Sequence, residues 1–348
     1  MVSGWIILDK PQGLGSTQGV AAVKRVLRQA GHGKVKVGHG GTLDPLATGV
    51  LPIALGEATK LAGRMLDASK RYDFTIRFGE ETDTLDAQGQ VVETSAVRPS
   101  PADVEAVLAR FTGAIEQVPP AFSALKIGGK RAYDLARAGE TVELEPRQVT
   151  VYHLSPLPFR GGAGGGACQS GRHRQADKSH PNPVSGRPVP RTGLELPGAV
   201  QPETPEGEGL ESVTLTAHVS KGTYIRSLAR DIARALGTVG HIAMLRRTKA
   251  GPFTLEQAIS LDKLEEIAKG APLEPYLLPL EAGLDDIPAL DLSPEQAGAV
   301  CQGRVLTGMP QTDGLYWARC GPTPVALMEL VSGNARVLRG FNLQDVAE

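Results

Sequence analysis

Gly38-His39-Gly40-Gly41-Thr42-Leu43-Asp44-Pro45-Leu46-Ala47-Thr48-Gly49-Val50-Leu51 is the stretch on which the reading of this chain depends. It is a glycine-rich loop, whose backbone can come close to a ligand, and it delivers one carboxylate, Asp44, beside a proline that stiffens the turn. From Lys10 to Leu43 the sequence holds no Asp or Glu, while Lys10, Lys24, Arg25, Arg28, Lys34 and Lys36 are basic. A lone acid at the end of such a run points to chemistry on a polyanion.

On the N-terminal side, Trp5-Ile6-Ile7-Leu8 is a short apolar run closed by Lys10-Pro11-Gln12-Gly13, which predicts a buried strand and a turn. Ser16 or Thr17 is expected to cap a helix with Val20, Val23, Val26 and Leu27 on one face and Gly31 at its end. On the other side, Leu51 to Gly56 predicts a strand end and Ala58 to Ala68 a helix. Tyr72, Phe74, Ile76 and Phe78 then alternate with polar residues, the period-two pattern of a strand with one face in the core. Ser100-Pro101-Ala102-Asp103 opens a helix carrying Val104, Val107 and Leu108. Val149 to Tyr152 and Val213 to Val219 read as strands. Between them, Arg160 to Glu211 is built of Gly, Pro, Ser and charge without one Phe, Tyr or Trp, and is expected to be a disordered insertion at the tip of a hairpin.

After Gly222-Thr223-Tyr224 comes the clearest helix, with Ile225, Leu228, Ala229, Ile232, Ala233 and Leu236 on one side. Arg226, Arg230 and Arg234 form a stripe on another side, and Gly237 ends it. A strand over Gly240 to Arg247 and a Pro-rich acidic stretch from Pro272 to Pro288, read as a linker, lead to a small β-rich tail. Its start, Ser293-Pro294-Glu295-Gln296, is a capping box.

The 348 residues are 41% hydrophobic with a formal charge of -1, enough for one large core and a small second domain. With no apolar run of about 18 residues and no secretory layout at the N-terminus, the chain is expected to be soluble and cytoplasmic. Cys168, Cys301 and Cys320 are too scattered for a disulfide framework or a metal pair. The neutral average hides a division: acids crowd Glu256 to Glu295, whereas the charged residues from Lys221 to Lys249 are all basic except Asp231. A polyanion would find local basic faces.

Gly13-Leu14-Gly15-Ser16-Thr17-Gln18, after a strand and before a helix, invites a dinucleotide-binding reading, but its sixth position is Gln18 and the acid expected about 20 residues on is missing. His32 and His39 lack ligand-spaced partners for a metal. Taken singly, Asp44 is a turn residue, Tyr72 a core residue, Tyr224 a staple and the Arg226 stripe a solvated face. Together they make a kit of carboxylate, arginine and aromatic rings that suits a planar base on a phosphate chain. The residues alone indicate an α+β protein that binds RNA.

Asp9-Lys10-Pro11-Gln12-Gly13, the Gly38 to Leu51 loop, Lys70-Arg71-Tyr72, Gly79 to Asp86, Pro119 to Lys126 and Gly222 to Leu228 closely resemble, in order, the bacterial tRNA pseudouridine synthase B (TruB) family. The resemblance covers residues 1 to about 158 and 212 to about 270. It implies a pseudouridine synthase fold: an α+β architecture with a central mixed, largely antiparallel sheet flanked by helices. Residues 1–285 would form the catalytic domain and 288–348 a small PUA-like RNA-binding module. It implies isomerisation of uridine 55 in the tRNA T loop to pseudouridine, on a flipped-out base and without cofactor or metal.

By the same resemblance, Asp44 matches the nucleophile, attacking either the sugar C1′ or the base C6. Tyr72 matches the tyrosine that stacks on the uracil and takes the C5 proton, and Arg226 the arginine that pairs with the nucleophile, holding it ionised and aimed. Tyr224 and Leu245 match residues lining the uracil pocket, and His39 one that contacts RNA where the T loop opens. Charge and position add Lys24, Arg25, Lys34, Lys130, Arg131 and Arg246 as phosphate contacts. The implied partner is tRNA, through its T arm and, at the C-terminal module, its acceptor end, with no membrane and no obligatory protein partner. A guide-RNA-dependent synthase of the dyskerin type and a non-catalytic tRNA-folding chaperone are the alternatives.

Overall fold

A computed structural model of the chain describes residues 2–123, 125–140, 142, 144–157 and 209–343. The expected disordered insertion lies outside the described residues except for 209–211.

The chain begins with β1 (Gly4–Lys10) and α1 (Ser16–Gln29). The cap of α1 is Gly15 rather than Ser16 or Thr17: the Gly15 N–H donates to Gln18 Oε1 at 2.7 Å. Ser16 is occupied elsewhere, as its hydroxyl donates to Leu43 O (2.9 Å) and accepts from Leu43 N–H (2.8 Å). Then follow β2 (Val37–His39), β3 (Thr48–Leu55), α2 (Ala62–Asp67) and β4 (Lys70–Phe78). The helix expected over Ala58 to Ala68 is therefore split, its first part being a 3-10 turn at Gly56–Leu61. A ribbon of β5 (Glu80–Thr82) and β6 (Val91–Thr94) precedes α3 (Pro101–Leu108) and β7 (Gly113–Gln117). Ser100 caps α3, its hydroxyl accepting from the Asp103 N–H. A second ribbon, β8 (Lys126–Ile127) and β9 (Lys130–Arg131), leads into α4 (Ala132–Arg137).

The expected hairpin is β10 (Arg147–Pro156) paired antiparallel with β11 (Ser212–Val219). After α5 (Ile225–Ala235) come β12 (Gly240–Ala250), β13 (Phe253–Thr254), β14 (Ala258–Ile259) and α6 (Leu261–Ala268). The main sheet runs β14-β1-β3-β12-β4-β11-β10-β7, with β2 on β3 and β13 on β12. Within this sheet, only β1–β14 and β3–β12 are parallel among the described pairs, which is the mixed, largely antiparallel sheet that the resemblance implies.

Alternation along the strands sorts side chains to two faces. Ile6, Leu8, Leu51, Ile53, Phe74 and Ile76 pack with Val23 and Leu27 of α1 and with Leu228 and Ile232 of α5. Trp5, Ile7, Val50 and Ala54 face the other way. There the stretch read as a linker is not free: Leu280, Leu284 and Ile287 are buried against Trp5, whose Nε1–H donates to Leu280 O at 3.1 Å.

The tail forms β15 (Ala289–Asp291), α7 (Pro294–Cys301), β16 (Leu306–Thr307), β17 (Gly314–Cys320), β18 (Thr323–Val331) and β19 (Asn334–Gly340). Its five strands make a separate sheet with its own core around Leu290, Val300, Met328 and Leu330. Phe341, Trp317 and Leu327 also reach the Trp5 side of the main sheet.

Candidate active site

The Gly40 to Ala47 loop joins β2 to β3 at one end of the main sheet, and three buried donors hold it. Ser16 grips both backbone groups of Leu43. Lys10, at the end of β1, donates to Leu14 O (2.7 Å), Pro11 O (3.0 Å) and Pro45 O (3.4 Å). Arg247 on β12, only 1% exposed, donates to Val50 O (2.7 Å), Gly41 O (3.1 Å) and Thr42 O (3.2 Å). Such bonds are strong because one partner is charged. Gly49 permits the close pass between β3 and β12: its φ is +100° and a Cβ there would strike the Arg247 carbonyl.

Asp44 projects from this loop with its side chain 38% exposed, and Arg226 comes to meet it from the first turn of α5. The ion pair is 2.9 Å and the guanidinium is buried, 6% exposed. Arg226 also donates to Thr84 O (2.8 Å) and Phe122 O (3.0 Å). A second carboxylate, Asp86, lies 3.7 Å from it and is equally buried. Asp86 is fixed in turn by Thr84 Oγ1 (2.7 Å) and the Gln88 N–H (3.0 Å). One arginine therefore sits between two acids, and the rigid set decides where Asp44 points. The stripe read as a solvated face is divided: Arg226 is buried, Arg230 pairs with Asp231 and Arg234 with Glu81.

Asp44 and Arg226 share a cavity of about 310 Å³ with Tyr72, Tyr224 and Leu245. That size lies at the small end for ligand sites. Tyr224 is held by Gln117, which accepts from its N–H (2.8 Å) and donates to its carbonyl (3.1 Å). The Arg147 guanidinium lies 4.7 Å from the Tyr224 ring centre, a cation–π contact that stiffens this wall. Lys70, two residues before Tyr72, also lines the cavity and donates to Leu66 O and Ala68 O at 2.6 Å. Burial, and secondarily Arg247, pushes the Lys70 ammonium down to about 8. Lys10 is pushed down to about 8 by burial, against the opposing pull of Asp44.

Five sequence candidates thus converge: Asp44, Tyr72, Arg226, Tyr224 and Leu245. His39 is not among the residues lining the cavity. Its Nδ1 accepts from the Gly41 N–H at 3.4 Å, and burial followed by Arg247 holds the imidazole below its ordinary range. Lys24, Arg25 and Lys34 are exposed around α1, and Lys130 on the second ribbon. Only the backbone of Arg131 is described. Arg246 is committed to Asp9 by a two-pronged pair at 2.8 and 3.1 Å.

Lys10, Ser16, Lys70, Asp86 and Arg247 were not among the site residues expected from the sequence. Three of them carry a signal. Lys10 continues the Ile6, Leu8 face of β1, Lys70 the Tyr72, Phe74 face of β4, and Arg247 the Leu245 face of β12. A cation at an apolar-face position of a strand is a buried cation, and it needs an acceptor.

Comparison with known proteins places the chain in a family. The N-terminal domain profile of TruB family pseudouridylate synthases matches residues 24–163, and the C-terminal domain profile of tRNA pseudouridylate synthase B matches 226–285. A tRNA pseudouridine synthase B of Novosphingobium aromaticivorans is 64% identical over 348 residues, the whole of both chains. The chain belongs to the TruB family of pseudouridine synthases. Another TruB-family relative, from Zymomonas mobilis, is 51% identical over 97% of this chain and 96% of its own. One from Caulobacter vibrioides is 41% identical over 98% and 97%.

Among solved structures, an H/ACA ribonucleoprotein bound to a substrate RNA containing 2′-deoxyuridine holds a chain of the same fold. The TM-score is 0.64 at 23% identity, covering 99% of this chain and 86% of that one. An archaeal box H/ACA Nop10–Cbf5 complex gives 0.63 at 23%, covering 99% and 87%. No helix among the described residues is long and apolar enough to cross a membrane.

Proposed function

We propose that this TruB-family enzyme isomerises the uridine at position 55, in the T loop of tRNA, to pseudouridine, with Asp44 as its nucleophile. One observation carries the reading: the 2.9 Å pair of Asp44 with a buried Arg226, at a cavity whose other walls include Tyr72, Tyr224 and Leu245.

The chemistry balances within one nucleoside. The N1–C1′ bond breaks, a C5–C1′ bond forms, C5 gives up a proton and N1 gains one. No oxidant, reductant or group donor enters, so side chains suffice and no cofactor is needed. Asp44 is the covalent partner of the nucleoside, and a carboxylate in that role must be fixed in direction. Arg226 and Asp86 fix it. Tyr72 stacks on the uracil and takes the C5 proton, while Tyr224 and Leu245 close the slot around the ring.

A stacked uridine cannot reach Asp44, so the base is flipped out at a cost of a few kcal/mol. Phosphate contacts offset that cost. Lys24, Arg25, Lys34 and Lys130 are exposed for this purpose, joined by Arg131, with Arg246 shared with Asp9 and His39 facing the opened loop. Residues 1–285 act as the catalytic domain and 288–348 as a PUA-like module for the acceptor end.

The test is to incubate the purified chain alone with a T-arm stem-loop RNA and identify the product by mass spectrometry. Pseudouridine at the position equivalent to 55 is the expected result. A requirement for a guide RNA refutes the stand-alone reading, and tight binding without product favours a chaperone.

A further inference from the structure

Beyond the cavity that holds Asp44, the outer face of the main sheet carries a row of cations and imidazoles that the reaction does not use. Lys249 on β12, Arg71 on β4, His218 on β11 and His153 on β10 are direct neighbours in register, one per strand. Residues opposite one another in a sheet project from the same side, so the four form a band about 14 Å across at ordinary strand spacing. Arg71 and His153 are exposed, Lys249 and His218 half-buried. The local field is positive: His218 is pushed below the ordinary imidazole range by burial, then by Arg71, Lys249 and His153. Lys249 and Arg71 are like charges opposite one another and repel, a cost that a polyanion would relieve.

Of the acids nearby, Asp67 pairs with Lys221 at 2.9 Å and Asp286 with Arg64 at 3.0 Å, while Asp73, two residues along β4 from Arg71, and Asp285, which lines a cavity with Lys249, offset part of the charge. An aromatic residue completes the band. Tyr152, at the bulge of β10, is 55% exposed, and its ring lies tilted against His218 with centroids 4.9 Å apart. His218 is anchored to the Ser69 hydroxyl at 2.9 Å. A cavity of about 700 Å³ runs from Tyr152 and Ser69 past Lys221 to Arg147 and Leu66. Arg147 and Leu66 also wall the Asp44 cavity, so the two spaces adjoin.

We propose that this band is a docking surface for the RNA strand flanking the reacting uridine. The strand leaves the Asp44 cavity past Arg147, lays a base on the exposed ring of Tyr152, and runs its phosphates along Arg71, His218 and Lys249. An aromatic platform beside a cationic track is the chemistry that holds single-stranded RNA without reading its sequence. The proposal rests on the RNA-isomerase reading above.

Two readouts on the full chain separate the two ideas: equilibrium binding of a T-arm stem-loop RNA, and tritium release from 5-tritiated uridine in that RNA at saturation. Tyr152→Ser and Arg71→Gln should each raise Kd about tenfold. Arg71→Gln should also lower the slope of log Kd against log salt by about one. Tyr152→Phe should bind as the unaltered chain does, and every variant should keep its rate at saturation within about twofold. If the Tyr152→Ser, Arg71→Gln double variant melts normally and keeps both Kd and salt slope, the docking surface is refuted. If the unaltered chain releases no tritium while these Kd shifts hold, the isomerase reading fails and the docking surface stands.

Discussion

Replacing Arg247 with methionine tests how the nucleophile is held. Methionine keeps an apolar stem in the same slot but removes every donor, stranding the carbonyls of Val50, Gly41 and Thr42. At about 1 kcal/mol for each stranded carbonyl the loss is about 3 kcal/mol. Removing a guanidinium buried without a carboxylate bonded to it restores part of that, leaving a net destabilisation of about 2 kcal/mol. The catalytic effect is larger. Ser16 and Lys10 still hold the loop, but a displacement of about 1 Å at Asp44 costs up to about 100-fold in rate. Urea melts measure the first quantity, and single-turnover tritium release at saturating RNA the second. We expect a rate 10- to 100-fold lower with RNA affinity unchanged. A rate within about threefold of the unaltered chain, in a variant that shows the stability loss, would refute the claim that Arg247 positions Asp44.

Asp44→Asn should leave RNA binding near normal and abolish product, checked by filter binding and mass spectrometry. Asp86→Asn frees one side of Arg226 and should lower the saturated rate about tenfold, or 1.4 kcal/mol, with KM little changed. Gly49→Ala forces a side chain onto a φ of +100° and into the Arg247 carbonyl, so urea melts should show a loss of about 2 kcal/mol or more. Lys10 and Lys70 are held at about 8 when folded, against an ordinary 10.5. Between those values the unfolded chain binds more protons, so stability rises with pH across this window: the cost of burying the two ammonium groups is full below about 8 and gone above about 10.5. Unfolding at pH 9 should take up protons, read with an indicator dye, and Lys70→Met should reduce the uptake.

Much of this fold is legible in the sequence because period and punctuation state it locally. β4 announces itself by alternation, α5 by its apolar face and Gly237, and the β10–β11 hairpin by apolar flanks around a polar segment. Asp44 is legible because an acid-free run isolates it, and Tyr72 and Arg226 through resemblance to a family. The supports are harder to read. Asp86 lies 42 positions beyond Asp44 in sequence, and only the fold brings both acids to Arg226. Arg247 sits in a basic run that invites a surface reading, although its parity with Leu245 places it inside. Ser16 looks like a cap by type and position, and nothing local reveals that Leu43 claims its hydroxyl instead.

The buried seam around Trp5 has a bearing on how the molecule can be cut. Trp5, Val50 and Phe253 cluster with Leu280, Leu284 and Ile287, and also with Phe341 just beyond the last strand. Lys60 and Glu57 add polar ties to Gly340 O and the Asn342 N–H. A truncation before residue 288 would strip Phe341, Trp317 and Leu327 from this cluster and leave apolar surface on the remaining part prone to aggregation. The two halves should therefore melt in a single transition, and exchanging tails between relatives would require the Trp5 side to change with them.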